Sequence, residues 1–142
     1  MIERRELDIF HRYVGEVIMC CQCIEHDVKM IYAGMRRGDF YDNLCMTRKD
    51  TLGEIVNSLE RLDRSDNQPF FTSEDYKYMR KIRNIRNYWV HNSYIGFVYE
   101  DDIEEKFALI KKRLLDDRDR LMAFHESVES VRIDVMRLFG RI

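Results

Sequence analysis

From Leu7 the apolar residues of the chain fall at Phe10, Val14, Val17, Cys21, Ile24, Val28, Ile31 and Met35, in alternating steps of three and four. That spacing is a heptad seam held over four repeats, and it predicts one long helix. At 1.5 Å per residue the helix runs roughly 45 Å, so its seam needs a second long helix or a second subunit to cover it. Gly34 and Gly38, on either side of Arg36-Arg37, mark its end.

Further along, Thr47-Arg48-Lys49-Asp50 has the layout of a capping box, with Asp in the place of Glu. Leu52, Ile55, Val56, Leu59 and Leu62 follow at helical spacing, a second and shorter helix. The run Arg64-Ser65-Asp66-Asn67-Gln68-Pro69 breaks it, because these are turn formers and Pro disfavours helix in the residue before it. Thr72 or Ser73 then caps a third helix, with Glu74 and Asp75 at its positive end and an apolar face of Tyr78, Ile82, Ile85 and Trp89. Beyond His91, the residues Asn92, Ser93 and Gly96 loosen the helix, and Tyr94 to Tyr99 fit either a continued helix or an irregular extended piece. Glu100-Asp101-Asp102 opens a last helix whose seam runs from Ile103 to Leu138, with Asp117 as its one charged position. A charge there predicts a kink, a pairing with a seam arginine, or a point where the helix leaves the core.

Four helices with a long first and a long last member describe an all-α, up-and-down four-helix bundle. The 142 residues fit one domain spanning 1–142, and a content of only 6 Gly and 1 Pro suits long helices better than a sheet with many turns. A net charge of -2 excludes a polycation that coats nucleic acid along its whole surface, so any such contact is local. The start of the chain has no apolar core behind its charges, and no apolar run reaches the roughly 18 residues of a membrane span. A cytoplasmic protein with no membrane association is the expectation.

Three of the four cysteines, Cys20, Cys21 and Cys23, fall within one helical segment, and Cys21 points about 100° away from the other two. A tetrahedral zinc site needs a second pair of ligands from another element, and Cys45 stands alone. The four are therefore read as small buried hydrophobes, with no metal implied.

Chemistry concentrates in Arg86-Asn87-Tyr88-Trp89-Val90-His91, at the end of a basic segment carrying Lys77, Arg80, Lys81, Arg83 and Arg86. A histidine titrating near neutrality, a permanent bidentate cation and an amide are what a metal-free enzyme needs to handle a phosphodiester. The spacing alone decides little, because Arg120 and His125 repeat it inside the last heptad helix, where seam periodicity already accounts for the surroundings. On a straight helix Asn87 and His91 share a face while Arg86 lies about 140° from His91. Convergence requires a helix ending near Val90, an arginine wrapping around, or a partner subunit. The interleaved Tyr76, Tyr78, Tyr88 and Trp89 either stack on unpaired bases or belong to the core behind a solvated charged face.

This hexapeptide resembles the signature of the HEPN superfamily, an Arg-x4-6-His pattern with a polar residue, often Asn, following the arginine. The order of elements, with a long first helix, a shorter second and the motif closing the third, resembles that family over the whole chain. The resemblance implies a metal-independent endoribonuclease with no cofactor, working as a homodimer in which two copies of the motif face one cleft. His91 would act as base toward a ribose 2′-hydroxyl or as acid toward the leaving oxygen, two histidines dividing those roles and leaving a 2′,3′-cyclic phosphate. Arg86 would neutralise charge on the phosphoryl oxygens, Asn87 would orient the histidine or the phosphate, and Arg80, Lys81, Arg83 and Tyr94 would contact RNA. The family implies a toxin or abortive-infection effector, with an antitoxin as a further partner. Toxins paired with a nucleotidyltransferase carry Arg-x4-His-x-Tyr, whereas here Tyr94 falls one residue later.

The competing expectation is a noncatalytic helical dimerisation, interaction or RNA-binding module, motivated by the same long seams. A regulator holding a nucleotide or small ligand has less in its favour, since the chain contains no Gly-rich phosphate loop.

Overall fold

The computed structural model describes residues 1–142 and is all-helical, with a long first and a long last helix. The order is α1 (Arg4–Met35), α2 (Phe40–Met46), a 3-10 turn (Thr47–Lys49), α3 (Leu52–Arg64), α4 (Ser73–His91), α5 (Ile95–Val98) and α6 (Ile103–Leu138). Four helices were expected and six form, the additions being the short α2 and α5. No helix is long and apolar enough to cross a membrane.

The chain resolves into two units, Met1–Gln22 with Arg83–His125, and Cys23–Ile82 with Glu126–Ile142. In the first, Phe10, Val14, Val17 and Cys21 of the α1 seam are buried, together with Trp89, Phe97, Phe107, Leu114 and Leu121. Phe10 anchors an aromatic cluster, meeting Phe97 edge-on at 5.5 Å and Phe107 at 5.3 Å between ring centroids. The α6 seam divides by position. Phe107, Leu114 and Leu121 are buried, while Ile103, Ile110, Asp117 and Phe124 are half-exposed, so only one of its two heptad stripes is fully covered.

In the second unit the seam continues through Ile24, Val28 and Ile31 and packs with Ile55, Val56, Leu59, Met79 and Ile82. Two polar anchors close it. Asp63, itself buried, accepts hydrogen bonds from the Phe70 and Phe71 amides at 2.8 and 3.1 Å and from the Tyr76 hydroxyl at 2.5 Å, which fixes the loop between α3 and α4. The carboxyl end of α1 is capped from a distance. Asn43 Nδ2 donates to the carbonyls of Ala33, Arg36 and Arg37, and Arg141 donates to those of Gly34, Arg36 and Gly38. The Ala33 and Gly34 carbonyls are ones the helix end leaves without intrahelical partners, those of Arg36, Arg37 and Gly38 belong to the turn that follows, and a guanidinium also complements the negative end of the dipole. Gly38 makes the turn possible with φ +102, a conformation side chains with a Cβ rarely adopt.

Local capping differs from expectation at α3. Thr47 is used as the C-cap of α2, its hydroxyl donating to the Leu44 carbonyl at 2.6 Å. The N-cap of α3 is instead Thr51, whose Oγ1 accepts from the Glu54 amide at 3.2 Å and whose hydroxyl donates to Glu54 Oε1 at 3.2 Å. At α4 the expected cap forms reciprocally: Asp75 N–H donates to Thr72 Oγ1 at 3.1 Å and Thr72 N–H to Asp75 Oδ2 at 2.9 Å.

Candidate functional site

The motif occupies the last two turns of α4, which stays helical through His91, and the Asn92 amide still bonds to the Tyr88 carbonyl at 2.8 Å. The helix ends one residue beyond Val90 but keeps His91 in its last turn, so Arg86 and His91 still diverge by about 140° around its axis. His91 is exposed and Asn87 half-exposed on one face, joined by the exposed Asn84 and Arg83. Arg86, half-buried, lies toward the side of α4 that buries Trp89.

The remaining sequence candidates sort by environment. Lys81 and Arg83 are exposed. Arg80 is tied down: it donates to Asn57 Oδ1 at 2.8 Å and pairs with Glu60 at 2.6 Å, and that hydrogen bond holds the Glu60 carboxyl below its ordinary value. Tyr76, Tyr78 and Trp89 are core residues, so these aromatics fill the interior and are not free to stack on bases. Tyr94 is half-buried against Phe10, its hydroxyl 2.7 Å from His11 Nδ1, and burial pushes its phenol above the ordinary value. It forms one wall of a cavity of about 410 Å³ whose other polar lining is His11. His125, half-buried beside buried Leu121 and Val128, fits its reading as a flank of the seam.

Behind the motif stands a group that the spacing of the motif does not reveal. Trp89 is fully buried, and its indole N–H donates to Asp117 of α6 at 2.8 Å. The Arg113 guanidinium lies over the Tyr88 ring, 3.5 Å from its centroid, with Nε 3.9 Å from Asp117. Asp117 is thus the seam charge satisfied by pairing, within an α6 that continues uninterrupted from Ile103 to Leu138. Its first partner is an indole and not a seam arginine. The sequence signal for this group was the isolated acid in an apolar seam; its partner could not be read from a position 28 residues away.

No family model, curated protein or solved structure matches the chain.

No three His, Cys, Asp or Glu side chains converge to hold a metal ion. Cys20 and Cys21 are buried and Cys23 half-buried, but Cys45 is exposed, contrary to the reading of all four as core residues. It sits on the solvent side of the two-turn helix α2, an element the heptad pattern did not contain.

Proposed function

We propose that the chain is a metal-independent endoribonuclease of the HEPN type, a toxin or abortive-infection effector acting as a homodimer of up-and-down helical bundles. The observation carrying this reading is that His91 and Asn87 share the solvent-facing side of the last turns of α4, beside exposed Arg83. A proton carrier and an amide there meet RNA without any unfolding, and the basic residues lead phosphate toward them.

In the reaction one histidine takes the proton of the ribose 2′-hydroxyl as its oxygen attacks phosphorus. The bond from phosphorus to the 5′-oxygen breaks, and a second histidine protonates that oxygen, leaving a 2′,3′-cyclic phosphate and a 5′-hydroxyl. One His91 per chain calls for a second copy, and the divergence of Arg86 from His91 on α4 calls for the same thing. Arg86 of one protomer would then serve the phosphate attacked beside His91 of its partner. Exposed Val90, Ile95 and Val98 flank the motif and give the second copy apolar surface to cover.

Purified protein should cleave single-stranded RNA in the presence of EDTA, and His91→Ala should abolish cleavage while leaving the unfolding midpoint and oligomeric state unchanged. A noncatalytic interaction or RNA-binding module is the second reading, favoured by the same apolar surface around the motif. It expects a dimer, or a complex with an antitoxin or other partner, without RNA cleavage.

A further inference from the structure

The motif's own arginine brings no cation beside His91, since Arg86 lies about 140° away around α4, and Arg83, on the histidine's face, stands eight residues earlier, roughly 12 Å along the helix axis. Tyr88 and His91, three residues apart, are surface neighbours with Cβ atoms roughly 5–6 Å apart. The Arg113 guanidinium rests on that tyrosine, 3.5 Å from the ring centroid, and its side chain remains 51% exposed. We infer that Arg113 is a phosphate-binding residue of the site around His91, preorganised on the Tyr88 ring by Asp117, an assignment that rests on the ribonuclease reading.

Three features support this assignment over a purely structural one. The separation of 3.9 Å between Arg113 Nε and Asp117 is an ion pair beyond hydrogen-bond reach, so it leaves the N–H donors of the guanidinium for a ligand. An ion pair with one partner half-exposed contributes little stability, so it does not by itself account for holding the arginine there. Stacking on an aromatic face fixes the guanidinium plane and leaves its edge open, the arrangement suited to bidentate recognition of phosphate.

Asp117 adds a negative charge to this surface, yet its carboxylate already accepts the Trp89 indole N–H at 2.8 Å. On this account Arg113 acts in the same chain as the histidine it serves, and Arg86 is left to act across the dimer.

The test uses the full chain and two RNAs: a cleavable single-stranded oligonucleotide, and the same sequence with 2′-O-methyl groups, which binds but cannot react. Arg113→Gln keeps the aliphatic stem and removes the charge. It should weaken binding of the uncleavable RNA about 5- to 10-fold and lower the slope of log affinity against log salt by about one. Arg113→Lys should recover part of the affinity, and unfolding followed through the single tryptophan should show both variants folded. Unchanged affinity, salt slope and cleavage in Arg113→Gln would overturn the assignment and leave the nuclease reading standing. Wild-type protein that binds both RNAs but cleaves neither, with Arg113→Gln still weakening binding, would remove the nuclease and retain Arg113 as a phosphate contact. Should Arg113→Gln unfold, the wild-type protein decides alone: failure of inorganic phosphate at millimolar concentration to compete with the uncleavable RNA would overturn the assignment.

Discussion

The indole N–H of Trp89 donates to the carboxylate of Asp117 at 2.8 Å, joining the helix that carries the motif to the last helix of the chain. Trp89 has no solvent exposure, so its N–H has no other acceptor to turn to. Asp117→Leu should therefore cost about 1–3 kcal/mol of stability, the penalty of a buried donor left unmade. Asp117→Asn, which keeps a carbonyl oxygen in place, should cost less than half as much. Urea unfolding followed by fluorescence of the single tryptophan measures both, and equal costs for the two variants would show that the hydrogen bond is not what holds Trp89.

Asp63 closes the loop between α3 and α4 through three donors, and its removal strands two backbone amides as well as the Tyr76 hydroxyl. Asp63→Ala should destabilise by about 3 kcal/mol or more, whereas Tyr76→Phe, which removes one donor, should cost about 1 kcal/mol. Denaturant midpoints and amide exchange of Phe70 and Phe71 report the difference directly.

Alkaline pH should weaken the fold through its buried tyrosines. Burial raises the Tyr94 phenol above 10.0, and burial together with the hydrogen bond to Asp63 raises Tyr76 well above it. A group whose folded value is raised contributes stability that is complete below its unfolded value and lost as pH climbs toward the folded one. Stability should hold below about pH 10 and fall above it, and Tyr94→Phe should lessen the fall. Parallel pH profiles for wild type and Tyr94→Phe would contradict this.

The basic residues of α4 should separate into two behaviours. Arg80 is bonded to Asn57 and Glu60, so Arg80→Ala should lower the unfolding midpoint and leave RNA affinity nearly unchanged. Arg83→Ala and Lys81→Ala, both at exposed positions, should do the reverse, each lowering the salt slope of RNA binding by about one. Affinity measured at two salt concentrations distinguishes them.

The long elements were legible because a sustained period of three and four has no other local explanation. Burial of Phe10, Val14, Val17, Ile24, Val28 and Ile31 follows it residue by residue. The reciprocal cap of Thr72 and Asp75 was also local, a matter of residues three apart. What escaped was short or distant. Helix α2 spans seven residues, started by an Asp39 side chain accepting from the Asp42 amide at 3.0 Å, too short for any periodicity to show. Thr47 and Thr51 both stand three residues before an acid, and only the use of Thr47 to end α2 leaves the cap to Thr51. Of the proposed site, Arg86, Asn87 and His91 come from the motif alone, and the angle between them follows from helix geometry. Arg113 over Tyr88 and Asp117 under Trp89 depend on how two helices lie together, which no local spacing encodes.

The proposed metal-free ribonuclease stands or falls on one comparison: wild-type protein and His91→Ala incubated with a single-stranded RNA in EDTA, with the products resolved. Wild type should yield fragments ending in a 2′,3′-cyclic phosphate, and a His91→Ala protein that retains its unfolding midpoint and oligomeric state should yield none. Cleavage that persists in His91→Ala, or that disappears from wild type when EDTA is added, would rule the proposal out.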